Sequence, residues 1–299
     1  MQTLTEIKSL LESHGLRPRH ALGQNFLCDH NLIRKLVDAS GVKSGDRVLE
    51  VGPGTGTLTE ELLARGCRVI ACELDSMLAS LLRVRLADHL KTGAFTLIEG
   101  DCLAGKHALS PEVANALGAG PAAEKSEKSI EVAGPTSMAR GEPFRLVANL
   151  PYGAASPLMA ILAMDWPRCL GQYVTIQKEV AQRIRAQPGS KDYGELGVIL
   201  QATHEVKKIA TLPPECFWPR PEVTSEMVGL ERLTPEKART KDAHRLAAMC
   251  RRLFTQRRKQ IGTTLGRDFA FPEGIGGRMR PEELSVEQIE ALSVNSAER

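Results

Sequence analysis

Arg47-Val48-Leu49-Glu50-Val51-Gly52-Pro53-Gly54-Thr55-Gly56 is the stretch that decides the fold. Its first half is a short apolar run of strand length. Its second half is a glycine loop, and glycines let a backbone turn tightly out of a strand and approach a ligand closely. Residues 57–65 then read as a helix, which Gly66 stops. Working outward, the alternation continues. Strands are predicted at 68–72, 95–99, 145–148 and 169–177, and helices at 77–90, 156–164 and from 178 through Arg185. Residues 197–203 and 226–230 read as late strands. Upstream, 1–15 and 30–40 read as helices ending at Gly15 and Gly41. Alternating strands and helices predict an α/β fold with a mostly parallel sheet covered on both faces.

Two segments break that rhythm. Residues 104–141 are rich in Ala, Gly, Pro, Ser, Lys and Glu and read as a long loop insertion or a partly disordered segment. From Thr234 onward the pattern turns helical. Residues 241–254 put Leu246, Met249, Cys250 and Leu253 on one face, and 257–265 read as a continuation. Ser285 with Gln288 three residues on is a capping box that opens a last helix. The boundary is placed at Arg232, giving domains 1–232 and 233–299. Charge supports the division. Arg232 to the end carries 14 Lys/Arg against 9 Asp/Glu, and the rest carries 25 against 27. A small basic module follows a near-neutral one.

Composition narrows the chemistry. The 7 cysteines are scattered, with no C-x-x-C pair and no cluster of histidines near them, so no metal site is expected. Single cysteines without a targeting segment point to a reducing cytoplasm. The first 15 residues read as an amphipathic helix without the apolar run of a signal peptide, and no stretch reaches the length of a membrane span.

The glycine spacing is G-x-G-x-G at Gly52, Gly54 and Gly56, which the dinucleotide fingerprint G-x-G-x-x-G does not fit. It suits S-adenosylmethionine; Glu50 before the loop resembles the acid that methyltransferases of the Rossmann-like type often carry there, facing the methionine end of the cofactor. Glu73, after the second strand, can accept hydrogen bonds from ribose hydroxyls. Asp75 reads as a helix cap, and Asp101, after the third strand, can hold the adenine amine. Asn149-Leu150-Pro151-Tyr152 follows the fourth strand on the same sheet edge. The Asn149 oxygen and the carbonyl before Pro151 can accept hydrogen bonds from an exocyclic amine. Tyr152 can stack on a flat base through its ring, a task that gives its hydroxyl no part.

In order along the chain, these motifs resemble the ribosomal RNA adenine N6,N6-dimethyltransferase family of the bacterial small-subunit type. Gly23-Gln24-Asn25-Phe26-Leu27 matches its N-terminal signature, Gln177-Lys178-Glu179-Val180 a segment after the fifth strand, and 212–225 its late proline loop. Phe254-Thr255-Gln256-Arg257-Arg258-Lys259 matches its basic helix. The resemblance covers nearly the whole chain apart from the insertion. It implies a Rossmann-like class I methyltransferase domain with a seven-stranded sheet, followed by a small helical domain. It implies cofactor contacts at Asn25, Leu27, Gly52, Glu73, Asp101 and Asn149. Catalytic roles are implied for Asn149, Pro151 and Tyr152, with Phe217 stacking on the opposite face of the target adenine. Arg251, Arg252, Arg257, Arg258 and Lys259 crowd 5 cations into 9 residues and read as a phosphate-contacting surface.

The implied reaction is methylation of N6 on two adjacent adenines in a 3′-terminal hairpin loop of 16S rRNA, within an immature 30S particle. The chain is expected to act as a monomer. It departs from the family at 20–22, at Gly153-Ala154-Ala155, at Glu195 and at Thr264. Two alternatives stay open: a large-subunit rRNA adenine methyltransferase of the antibiotic-resistance type, and a weakly active ribosome-assembly factor.

Overall fold

The computed structural model describes residues 2–19, 22–118, 141–266 and 268–297. Most of the predicted insertion, 119–140, lies outside these, as do His20 and Ala21.

The chain forms two compact units: Met1–Lys178 with Lys208–Gly229, and Glu179–Lys207 with Leu230–Arg299. The first opens with helix α1 (Leu4–Ser13), capped by a Thr3/Glu6 box. Its Ile7 and Leu11 are buried against Phe26, Leu78 and Leu81. Strand β1 is only Phe26–Leu27, and α2 (His30–Ser40) ends at Gly41 in the left-handed region. The stretch quoted first becomes β2 (Arg47–Val51) and α3 (Thr57–Ala64). Next come β3 (Arg68–Glu73), α4 (Ser76–Arg85), α5 (Ala87–Thr92) and β4 (Phe95–Glu99). The single helix predicted at 77–90 is therefore two, broken at Leu86. Asp75 caps α4 through the Met77 N–H, as expected.

The predicted loop insertion is partly built. Helix α6 (Pro111–Ala116) is capped by Ser110, with Leu109, Val113 and Leu117 buried. Then follow β5 (Phe144–Asn149), α7 (Tyr152–Asp165) and β6 (Cys169–Gln177). Helix α7 starts four residues earlier than the sequence suggests, because Ser156-Pro157 imitates a helix start.

The main sheet has the order β4-β3-β2-β5-β6-β9-β7, with β7 spanning His204–Leu212 and β9 Ser225–Arg232. The pairs β2·β3, β2·β5, β3·β4 and β5·β6 are parallel. Near-continuous apolar strands such as β2 and β3 suit a sheet buried on both faces. The chain runs from β2 out to β4 and then crosses back to β5 on the other side of β2. That reversal opens a crevice at the carboxyl ends of β2 and β5, where such sheets bind ligands. A separate antiparallel pair joins β1 to β8 (Phe217–Trp218).

The second unit corrects three expectations. It holds α8 (Lys178–Arg185, from its second residue), α9 (Glu195–Thr203), α10 (Ala243–Phe254), α11 (Ile261–Leu265) and α12 (Val286–Ala297). The predicted strand at 197–203 is helix α9, whose Val198 and Ala202 share a core with Leu246, Leu253 and Ile289. A Cβ on Gly197 would lie 2.5 Å from the Arg183 carbonyl, so glycine permits this approach. That shared core also moves the boundary: 179–207 joins the C-terminal unit, so the division at Arg232 is too simple. The helix predicted over 257–265 exists only from Ile261. Residues 255–260 turn, and the Ile261 and Gly262 N–H groups donate to Met279 and Gly277. The Ser285/Gln288 box forms as expected.

Candidate active site

A cavity of about 520 Å³ occupies the crevice, a volume typical of cofactor sites. Its lining comes from five segments, 22–27, 50–58, 72–74, 100–103 and 149–154, with additional residues from α2 and α4. Asn25, Leu27, Gly52, Glu73, Asp101, Asn149, Pro151 and Tyr152 all reach it. Phe217 does not. At its β8 position opposite Leu27 it packs in the hydrophobic core and is 5% exposed.

The glycine loop is held by contact with the other loops. Gly52 has φ 73°, and a Cβ there would lie 3.1 Å from Pro151 Cγ. Gly54 has φ 60°, and a Cβ there would lie 2.9 Å from the Phe26 ring. Both positions need the left-handed region and the missing side chain. Gln2 adds a pin, its Nε2 donating to the Thr55 carbonyl at 2.9 Å.

Glu73 Oε2 accepts from the Gly54 N–H at 3.0 Å and Oε1 from the Asp75 N–H at 2.9 Å. Burial raises its pKa, and these backbone donors oppose the rise. Each carboxylate oxygen has a second lone pair for a hydroxyl. Asp101 Oδ1 accepts from the Leu103 N–H at 2.9 Å. Cradle, carboxylates and volume together fit S-adenosylmethionine. Cys72 and Cys102 also line the cavity, but burial pushes each thiol up to about 12, so neither is a ready nucleophile. Among the described residues no cluster of three or more His, Cys, Asp or Glu is placed to hold a metal. Among them, too, no helix is long and apolar enough to cross a membrane.

Glu50 is 1% exposed and accepts from Thr59 Oγ1 at 2.8 Å. Burial drives its pKa to about 8; the Thr59 bond opposes this and repulsion from Glu73 adds to it. Its ordinary value is 4.5. Below that, folded and unfolded chains both hold the proton. Between 4.5 and about 8 the unfolded chain releases it and the folded chain keeps it, so stability falls as pH rises through this window. Glu50→Gln keeps the shape and the acceptor for Thr59 without the titration. It is expected to melt above wild type at pH 8.5, with the difference shrinking towards pH 4. Thermal melts across pH check this; a constant difference would contradict it.

A strap, 23–27, crosses the cavity. Gln24 Nε2 donates to Asp75 Oδ2 at 2.9 Å, and the Asn25 carbonyl accepts from Asn149 Nδ2 at 2.9 Å. That second bond orients the catalytic candidate: the Asn149 amide nitrogen is spent on the strap, leaving Oδ1 as the acceptor. The Leu150 N–H donates to the Thr175 carbonyl at 3.1 Å and fixes the peptide before Pro151. Tyr152 is the first residue of α7, and its hydroxyl lies 2.9 Å from Ser225 Oγ. Sequence reasoning gave that hydroxyl no partner.

The five cations of the C-terminal unit divide. Arg257 donates to Glu282 Oε2 at 2.7 Å, to the Ser190 carbonyl at 2.9 Å and to the Lys191 carbonyl. Arg252 donates to the carbonyls of Thr264 and Leu265 at the end of α11. Arg251 pairs with Glu195 at 3.8 Å. Arg252 and Arg257 therefore also tie the fold together, Arg252 from an exposed position and Arg257 from a half-buried one. Arg258 and Lys259 are exposed, without a side-chain partner among the described residues.

The sequence model of the family "Ribosomal RNA adenine dimethylase" matches residues 15–295. The chain is 36% identical over 294 residues to "Ribosomal RNA small subunit methyltransferase A" of Magnetococcus marinus, covering 96% of this chain and 95% of that protein. A solved dimethyladenosine transferase from Plasmodium falciparum superposes with a TM-score of 0.66 at 22% identity, over 91% of this chain and 98% of that one. The solved 23S rRNA methyltransferase ErmE superposes with a TM-score of 0.59 at 24% identity, over 91% and 99%. At these identities the two structures establish the class I methyltransferase-like fold.

Proposed function

The chain belongs to the ribosomal RNA adenine dimethylase family, an S-adenosylmethionine-dependent rRNA adenine N6-methyltransferase, and from that premise we propose that its substrate is the small-subunit RNA. The proposed product is N6,N6-dimethyladenosine at two adjacent adenines of the 3′-terminal hairpin loop of 16S rRNA. The proposed setting is an immature 30S particle in the cytoplasm, with the enzyme acting as a monomer.

The observation that carries the methyl-transfer chemistry is the Asn149 amide, pinned through its nitrogen to the strap so that its oxygen is left to accept. The cofactor, when bound, supplies a methyl group on a sulfonium. Asn149 Oδ1 accepts a hydrogen bond from the N6 amine, which turns the nitrogen lone pair away from the ring and towards that methyl. Tyr152 holds the base by stacking. Transfer gives an acidic ammonium whose surplus proton passes to water, so positioning supplies most of the catalysis and no strong base is needed. The 36% identity to a small-subunit enzyme over nearly full length favours small-subunit RNA. The likeness to ErmE is one of fold and does not decide the substrate.

Labelled S-adenosylmethionine, immature small subunits and free 23S rRNA test the reading together. Label recovered as dimethyladenosine in 16S rRNA is expected. Label only in 23S rRNA would replace it with the large-subunit alternative, and binding without transfer with the assembly-factor alternative.

RNA contacts are proposed at Arg251, Arg252, Arg257, Arg258 and Lys259, of which Arg258 and Lys259 have no side-chain partner among the described residues. The double change Arg258→Ala, Lys259→Ala is expected to lower the salt dependence of RNA binding by roughly 0.7–0.9 per lost phosphate contact. Cofactor affinity should stay the same. An unchanged salt slope would mean that these cations face solvent only. Arg257→Ala should instead lower the melting temperature, since it removes a fork that ties down 190–191 and Glu282.

A further inference from the structure

Ser225 closes the proline loop and begins β9; it is fully buried and stands outside the cavity lining. The Thr224 carbonyl before it accepts from the Lys178 N–H at 3.0 Å, which fixes the backbone there. Its Oγ lies 2.9 Å from the Tyr152 hydroxyl. Tyr152 is thus held at both ends. Its Cα belongs to the first turn of α7, and its hydroxyl is tied to the sheet. Between these points the ring lines the cavity. A phenylalanine would keep the ring but lose the second anchor.

We propose that Ser225 is a positioning residue for methyl transfer: by hydrogen bonding the Tyr152 phenol it fixes the ring against which the target base stacks. This rests on the functional reading above. A ring free to pivot still stacks, but it holds the base in the reacting geometry for a smaller fraction of the time. The loss therefore falls on kcat more than on binding.

Steady-state transfer to immature small subunits is measured for wild type, Ser225→Ala, Ser225→Thr, Tyr152→Phe and the double variant Ser225→Ala, Tyr152→Phe. One neutral hydrogen bond corresponds to a fall in kcat of roughly 3- to 10-fold. Ser225→Ala and Tyr152→Phe should each show it, with the KM for subunits and the Kd for S-adenosylmethionine unchanged. The double variant should be no slower than either single one, because both changes remove the same bond. Ser225→Thr keeps the hydroxyl and should recover most of the rate. The inference is overturned if Ser225→Ala stays within twofold of wild type, if the two losses multiply, or if a folded Ser225→Thr is as slow as Ser225→Ala. Should Ser225→Ala not fold, Tyr152→Phe decides alone, and wild-type kcat there overturns it. Wild type that transfers no methyl removes the functional reading and this inference with it. Active wild type with an unaffected Ser225→Ala removes this inference alone.

Discussion

Asn149→Ala is expected to lower kcat for methyl transfer by roughly 10²–10³-fold, the usual cost of removing one preorganised hydrogen-bonding group at a reacting centre. The truncation removes two things at once. It takes away the oxygen that accepts from the amine, and it releases the Asn25 carbonyl that the amide nitrogen held at 2.9 Å. RNA affinity should change little, since phosphate contacts dominate binding to nucleic acid. Asn149→Asp separates the two roles. It keeps acceptor oxygens, but an ionised carboxylate cannot donate to the Asn25 carbonyl and would face it with like partial charge. It should therefore also be slow, with weaker cofactor binding as the strap loosens. Single-turnover rates and filter binding of RNA check both variants. An Asn149→Ala enzyme within tenfold of wild type would mean that the amide does not orient the amine.

What could be read from the sequence follows from the reach of each interaction. Strands β2, β4 and β6 coincide with their predicted limits, because each is a short segment rich in β-branched, aromatic and other apolar residues set off by the flanking sequence. The glycine loop and the Asn149-Leu150-Pro151-Tyr152 loop were legible for the same local reason, and the structure brings them into contact at Gly52 and Pro151. Asn25 and Leu27 could be found only through the family resemblance, since a two-residue strand has no periodicity.

The failures are tertiary. A short apolar run at 197–203 suits a buried helix or a buried strand equally, and packing against α10 decided for helix. Strand β7, which was not predicted, exposes Glu205, Lys207 and Lys208, and so lacks an apolar face in sequence. That Phe217 packs in the core beside Leu27 was not legible, because nothing local shows that β8 pairs with β1. Arg257 looked like a free cation because its partners, at 190–191 and 282, are far away in sequence. Ser225 is hidden in the same way. It is one serine after a proline loop until the fold carries it to Tyr152.

Tyr152→Ala carries the second large effect. Base–aromatic stacking is worth about 1–3 kcal/mol per base, which corresponds to a fall in kcat/KM of roughly 5- to 150-fold. The target adenine must leave its own stack in the RNA before it can react, and a flat ring in the site offsets that loss. Without the ring the adenine keeps its amine contact to Asn149 but has no face to lie against. The order of rates should be wild type, then Tyr152→Phe, then Tyr152→Ala, because phenylalanine loses only the anchor at Ser225 and alanine loses both anchor and face. Cofactor affinity should fall little, as Glu73, Asp101 and the glycine loop are untouched. Steady-state rates on immature small subunits test the order. If Tyr152→Ala transfers methyl as fast as wild type, the base does not stack at the start of α7, and the face that holds it lies elsewhere in the cavity.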